Sequence, residues 1–390
     1  MKTFFTWSIL SLFFIISCNA NNKSNSEISL RKEKNHIIST TKTDPNIRNI
    51  QVALLLDTSN SMDGLIEQAK AQLWEIVNEL SYAKCGHNKI KLEIALYEYG
   101  NDGLPSQEGF IRQVLPFSND LDEISKELFA LTTNGGNEFC GKVINTSINQ
   151  LGWKKSNDHL KLIFIAGNEP FTQGPVNYKD AATDALEKGI TINTIFCGNY
   201  RQGIDTQWKH SADITYGEYS AIDHNRETIH IATPYDNVIL ELNNKLNKTY
   251  LYYGNQGAQK RKLQAEQDHN ARSYSSANAV SRTVSKSSGF YKNKSWDLID
   301  AVEDESFEIE EVEKEDLPQE LKDKSKTELT QYIAEKSTAR KEIQQEINEL
   351  NKKRVQFIKE NSKKEGTSLE TALLNAIKKQ GRKKAFTWEE

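Results

Sequence analysis

The sequence predicts an α/β fold: a doubly wound, mostly parallel, Rossmann-like sheet followed by an α-helical carboxyl-terminal region. Three observations predict it. Ile50-Gln51-Val52-Ala53-Leu54-Leu55-Leu56 is a nearly continuous apolar run that ends in Asp57, which is how a strand buried on both faces of a parallel sheet reads. Strand-like and helix-like segments then alternate as far as about residue 253, the order expected of βαβ units. Beyond residue 253 apolar positions thin out, and partial helical spacing replaces the strand pattern.

The elements follow in order. After the first strand comes the polar turn Thr58-Ser59-Asn60-Ser61-Met62-Asp63-Gly64. A helix then carries Leu65, Ala69, Leu73, Ile76, Val77 and Leu80 at spacings of three and four. Ile90 to Tyr97 is a second strand, and Phe110 to Leu115 an edge strand closed by Pro116. Leu121 to Leu131 and Lys142 to Leu151 are helical. Leu160 to Ala166 is a strand, Tyr178 to Lys188 a helix stopped by Gly189, and Ile190 to Phe196 a strand. Ala212 to Tyr216 is a weaker strand and Tyr235 to Leu246 a helix. Ligands of such sheets sit beyond the carboxyl ends of the strands. Those ends carry Asp57, Ser59, Ser61, Asn168 and Cys197.

The chain has 390 residues, of which 37% are hydrophobic and 27% charged, with a net charge of -4. That composition supports one full core and leaves a polar remainder. It supplies no basic field for nucleic acid. Lys2, the apolar stretch Phe4 to Ile16 and Ser17 read as a signal peptide, residues 1–17, too short to span a membrane. Cys18 directly after it resembles a bacterial lipoprotein signal, which implies a lipidated Cys18. The expected location is the bacterial cell envelope, on the periplasmic face or cell surface, with membrane contact through the lipid anchor only. Residues 18–49 are rich in Asn, Ser, Lys and Thr and read as a flexible tether.

Asp57-x-Ser59-x-Ser61 directly after the first strand offers one carboxylate and two hydroxyls to a common point. These are hard oxygen ligands suited to Mg²⁺, Mn²⁺ or Ca²⁺ rather than zinc. The segment Val52 to Gly64 resembles the first motif of the von Willebrand factor type A (VWA) domain, and the likeness covers residues 50–253. The resemblance implies a divalent cation, Mg²⁺ first, at a metal-ion-dependent adhesion site (MIDAS). It maps the first motif onto Asp57, Ser59 and Ser61. It also puts Asn137 of Thr132-Thr133-Asn134-Gly135-Gly136-Asn137-Glu138 where a threonine is expected, and Asn168 of Gly167-Asn168-Glu169-Pro170 where an aspartate is expected. Asparagine offers a carbonyl oxygen but no charge, and Glu138 and Glu169 stand next door to restore it. The alternative is a site that keeps the fold and has lost the metal. Tyr99, Asn101, Asp102, Phe171 and Gln173 are read as loop residues first and as the rim of a binding face second.

Cys140 follows the Gly-Gly loop and Cys197 closes a strand, so both belong at the carboxyl end of the sheet. A Cys140–Cys197 disulfide is the expectation for an oxidising envelope. The seven histidines are scattered, and no H-E-x-x-H, G-x-S-x-G or phosphate-loop sequence occurs; no catalytic residue is assigned. Residues 254–316 read as a polar, acidic linker with short helices, including a docking patch at Ser295 to Ala301. Residues 317–390 read as helical, with Lys336, Arg340 and Arg354 interrupting the apolar seam and a basic end, Lys378 to Trp388.

The functional expectation is a lipid-anchored binding protein. Its VWA domain holds a divalent cation and captures a protein partner through an acidic group. The alternative is a metal-independent structural envelope protein that binds through its helical carboxyl-terminal region.

Overall fold

The computed structural model describes residues 46–226, 230–304, 307–309, 312–361 and 368–388. The signal segment 1–17, Cys18 and the tether up to residue 45 lie outside the described residues. Among the described residues, no helix is long and apolar enough to cross a membrane.

The first apolar run becomes β1 (Ile47–Asp57), at the centre of the sheet. It begins three residues before the expected boundary, and Asn49 is already buried within it. Next come α1 (Asp63–Ser81), the two-residue β2 (Ala83–Lys84), β3 (Lys89–Tyr99), β4 (Ile111–Ser118), α2 (Leu121–Phe129) and α3 (Cys140–Gln150). They are followed by β5 (Leu160–Gly167), α4 (Tyr178–Glu187), β6 (Thr191–Cys197), α5 (Tyr200–Asp205), α6 (Trp208–Ile214), β7 (Tyr219–Ile222) and α7 (Asp236–Asn247). The six-stranded sheet has the order β4-β3-β1-β5-β6-β7. Every neighbouring pair is parallel except β3 with the edge strand β4. Pro116 lies inside β4 rather than closing it. It sits where the register with β3 shifts between Leu115 and Ser118, so its missing N–H costs no regular ladder bond.

The weak strand expected at Ala212–Tyr216 is the end of helix α6 and the turn after it. Trp208 and Ala212, four residues apart, are both fully buried, and Thr215 Oγ1 accepts the Ile192 amide at 2.8 Å. The edge strand on that side is β7, a few residues later.

The two faces of the sheet are covered differently. One packs on α3, α4 and α6 through Ile163, Ile165, Phe171, Phe196 and Trp208. The other packs on α1, α2 and α7, and also on helices from the carboxyl-terminal third. That third comprises α8 (Gly257–Tyr274), α9 (Ser276–Lys286), α10 (Leu298–Ala301), α11 (Gln319–Lys322), the 36-residue α12 (Lys326–Asn361) and α13 (Leu369–Arg382), with β8 (Thr387–Trp388) at the end. Residues of α9, α12 and α13 join this core, whereas α10 and α11 form a separate cluster with Leu251, Leu317 and Leu329.

Residues 254–295 therefore depart from the expected linker. Every residue of α9 from Ala277 to Lys286 is buried. Its polar side chains find partners that only the packed structure supplies. Asn278 Nδ2 donates to the Ala71 carbonyl at 2.8 Å, Ser285 Oγ donates to Asn78 Oδ1 at 2.6 Å, and Lys286 Nζ donates to Asn243 Oδ1 at 2.9 Å. The docking patch forms as expected: Asp297 caps α10, and Leu298 and Ile299 are buried. Arg340, one of the cations that interrupt the α12 seam, is the pin that holds the helix. Its Nη1 donates to Asp297 Oδ2 at 2.6 Å, its Nη2 to the Thr249 carbonyl at 2.9 Å, and its guanidinium lies 4.1 Å from the Tyr250 ring centroid. The basic end is tied down. β8 pairs antiparallel with β2, Phe386 is fully buried, and Lys378 and Lys379 pair with Glu79 and Glu218.

Candidate metal centre

The site grows out of the carboxyl ends of β1, β3 and β5. Asp57, the last residue of β1, is fully buried opposite Tyr99 in the register with β3. Its Oδ1 accepts the Ser59 amide at 2.8 Å, an Asx turn that starts the loop. The Thr58 amide donates to the Tyr99 carbonyl at 2.8 Å and the Met62 amide to the Ser59 carbonyl at 3.0 Å. That turn brings Ser59 and Ser61 to the same side, with their hydroxyl oxygens 3.2 Å apart. Asn168, just past β5, donates from Nδ2 to Ser61 Oγ at 3.1 Å. Four of the five side chains named from the sequence thus come together, Asn168 with its amide nitrogen turned to Ser61.

The fifth does not. Asn137 is exposed, and the side chain that enters is its neighbour Glu138, buried at 3% exposure. The backbone explains the exchange. The Asn134 amide donates to the Thr58 carbonyl at 2.9 Å and the Asp102 amide to the Gly135 carbonyl at 2.5 Å, which pins the loop against the β1 and β3 ends. The stretch from there to the start of α3 at Cys140 contains no helix, and in extended chain successive side chains point to opposite sides. Position 137 faces out and position 138 faces in. Counting back from the helix start, rather than forward from the Gly-Gly pair, finds Glu138 in the sequence.

The electrostatics are those of two carboxyls held together out of water. Burial pushes Asp57 above its ordinary range, and burial together with Asp57 pushes Glu138 up to about 9. Three buried oxygens have no hydrogen-bond partner: Asp57 Oδ2, Glu138 Oε2 and Asn168 Oδ1. Two glycines let the backbone approach Asp57 closely. Gly100 sits at φ +81, where a side chain is strained, and a Cβ there would stand 2.8 Å from both Asp57 Oδ1 and Glu138 Cγ. A Cβ on Gly167 would stand 3.0 Å from Asp57 Oδ2. Among the described residues, no group of three His, Cys, Asp or Glu side chains is arranged to hold a metal ion. The donors here are carboxylate, hydroxyl and amide oxygens, a set that fits a hard divalent cation. Orphaned buried oxygens are what such an ion would satisfy.

Of the rim residues named from sequence, Tyr99 and Phe171 belong to the core. The Tyr99 hydroxyl donates to the Ala166 carbonyl at 2.9 Å, and Phe171 packs edge-on against Trp208 and Tyr178. Asn101 and Gln173 make loop hydrogen bonds, to the Thr132 carbonyl and to Glu169.

The expected disulfide is absent: Cys85, Cys140 and Cys197 are free, buried thiols. Cys140 and Cys197 do lie at the same end of the sheet but on opposite faces. Cys140 packs in the layer with α3 and α4, and Cys197 in the layer with α1 and α7. Being at one end of a sheet does not make two side chains neighbours when one of them sits on a strand with alternating faces. Burial holds both thiols well above their ordinary range, and the nearby Glu138 and Asp57 carboxyls add to the effect.

A strand-ending Asp-x-Ser-x-Ser loop on a doubly wound sheet defines a VWA-type fold. Residues 51–208 match the family profile of the von Willebrand factor type A domain, and this part of the chain is such a domain. The family is often metal-dependent and mediates protein interactions. Among solved structures, the conserved hypothetical protein BatB from Bacteroides thetaiotaomicron aligns at 17% identity over 45% of this chain and 90% of its own, with a TM-score of 0.34. An aerotolerance-related membrane protein from Bacteroides fragilis aligns at 16% identity over 45% of this chain and 93% of its own, with a TM-score of 0.29. Proximal thread matrix protein 1 from the mussel byssus, solved with a zinc-occupied MIDAS motif, aligns at 10% identity over 46% of this chain and 43% of its own, with a TM-score of 0.35. No curated protein matches the chain.

Proposed function

We propose that this protein is an envelope-anchored interaction module rather than an enzyme. In this reading the Asp57-x-Ser59-x-Ser61 loop and Asn168 hold a divalent cation, Mg²⁺ first, with Mn²⁺ and Ca²⁺ as competitors. The bound cation supplies an open position that accepts an acidic group of a protein partner. The observation that carries the reading is the buried, partnerless Asp57 Oδ2 at the start of the loop whose two serine hydroxyls converge at 3.2 Å. The anchor is proposed from the amino-terminal sequence, with Cys18 as the lipidated residue.

Calorimetric titration of the full chain with MgCl₂, MnCl₂ and CaCl₂, beside Asp57→Ala, tests the site. Binding by the wild type that is lost in the variant supports it. A folded wild type that takes up no ion, or a variant that binds equally well, sinks it. Truncation near residue 254 is a poor alternative, because α9 and α13 form part of the layer that covers the sheet. The anchor is tested separately: Cys18→Ser should move the protein from the membrane fraction to the soluble fraction.

A further inference from the structure

We propose that Glu138 is the second anionic ligand of the cation site, a role that the Asp-x-Ser-x-Ser segment does not contain. The inference rests on the cation reading above and sharpens its ligand set.

Three observations lead to it. Glutamate is almost never fully buried without a partner, yet Glu138 is 3% exposed and its Oε2 accepts no hydrogen bond. Its close neighbour is Asp57, a second carboxyl with which it shares a hydrogen bond rather than a countercharge, and among the described residues no Lys, Arg or His forms an ion pair with it. Burying two carboxylates side by side is expensive, and one shared divalent ion relieves both the desolvation and the repulsion. Finally, Asp57 Oδ2 beside it is a second buried carboxyl oxygen with no hydrogen-bond partner.

The resulting donor set is five oxygens: the Asp57 and Glu138 carboxylates, the Ser59 and Ser61 hydroxyls and the Asn168 amide carbonyl. Its two negative charges cancel a divalent cation inside the protein. Without Glu138 the site has one charge, which favours weaker binding. The exposed Asn137 contributes nothing.

The experiment compares full-length wild type, Glu138→Gln, Asn137→Ala and Asp57→Ala. Free Mn²⁺ is followed by electron paramagnetic resonance, and the thermal midpoint is recorded in EDTA and in MnCl₂. Glu138→Gln keeps the size of the side chain and removes its charge. Its Mn²⁺ affinity should fall at least tenfold, while its midpoint in EDTA equals or exceeds that of wild type; a purely structural glutamate would lower the midpoint instead. Asn137→Ala should bind within twofold of wild type. If wild type binds, Asp57→Ala does not, and Glu138→Gln binds like wild type, this inference fails and the cation reading survives. If wild type binds no Mn²⁺, both fall together. Glu138→Asp, which restores the charge, should recover part of the lost affinity, and no recovery counts against a ligand role.

Discussion

Two regions of this molecule bury charge, and they do it in opposite ways. At the carboxyl end of the sheet, two carboxyls, Asp57 and Glu138, are buried side by side with no countercharge, and each keeps an oxygen without a partner. In the helical layer, Arg282 and Lys286 of α9 are equally buried but meet opposite charges. Arg282 Nε lies 2.6 Å from Asp268 Oδ1, its Nη2 lies 2.9 Å from Asp122 Oδ1, and Lys286 Nζ lies 2.8 Å from Asp268 Oδ2. The protonation behaviour records the difference. Burial pushes the Asp268 carboxyl up, but Lys286 and Arg282 outweigh it and hold the group well below the ordinary carboxylate range. At Glu138 burial and the neighbouring carboxyl act in the same direction. Paired burial fixes structure. A buried carboxyl pair with no countercharge and with oxygens left unpaired marks a candidate place for a ligand.

The comparison breaks most visibly at Arg282. Arg282→Ala leaves Asp122 and Asp268 short of their cation, removes the guanidinium that stacks 4.8 Å from the Trp74 ring, and should cost roughly 3–5 kcal/mol in urea denaturation. If the loss is below about 1 kcal/mol, the helical layer is not held by its ion pairs. A smaller effect is expected from pH. Where α1 meets α13, burial and the neighbouring Glu75 and Glu79 push Glu370 up to about 8, from an ordinary glutamate value of 4.5. The folded state then keeps a proton that the unfolded chain has lost, so stability is present below about pH 4.5 and is lost as the pH rises to about 8. Glu370→Gln should flatten that slope in denaturation curves recorded between pH 5 and 8, and an unchanged slope would show that another group carries it. The smallest effect sharpens the cysteine finding. Non-reducing peptide mapping should find Cys140 and Cys197 as free thiols, and dithiothreitol should leave the thermal midpoint unchanged.

The boundary between what could and could not be read lies at particular residues. Continuous apolar strands and helix spacings make the central elements of the sheet legible, because a strand buried on both faces has little choice of composition. The Asp57, Ser59 and Ser61 trio was legible because all three side chains come from one short turn. Glu138 was one residue away from the expected position, since the loop's register depends on hydrogen bonds to Thr58 and Asp102 that lie far off in sequence. The strand expected at Ala212 failed for a related reason. A short apolar run fits helix and strand equally, and the burial of Trp208 against Phe171 decided it.

By itself, the sequence determined the alternation of strands and helices, the oxygen-rich loop at the end of β1, and the helical character of the last third. Only the tertiary structure decided that the polar helix α9 is core, that Arg340 pins α12 rather than spoiling its seam, that Cys140 and Cys197 stand on opposite faces, and that Glu138 joins Asp57. The physical reason is common to all four. Local periodicity is set by each residue's own side chain, whereas the environment of a polar or charged group is set by partners tens to hundreds of residues away, and those partners decide whether it is buried, paired or left for a ligand.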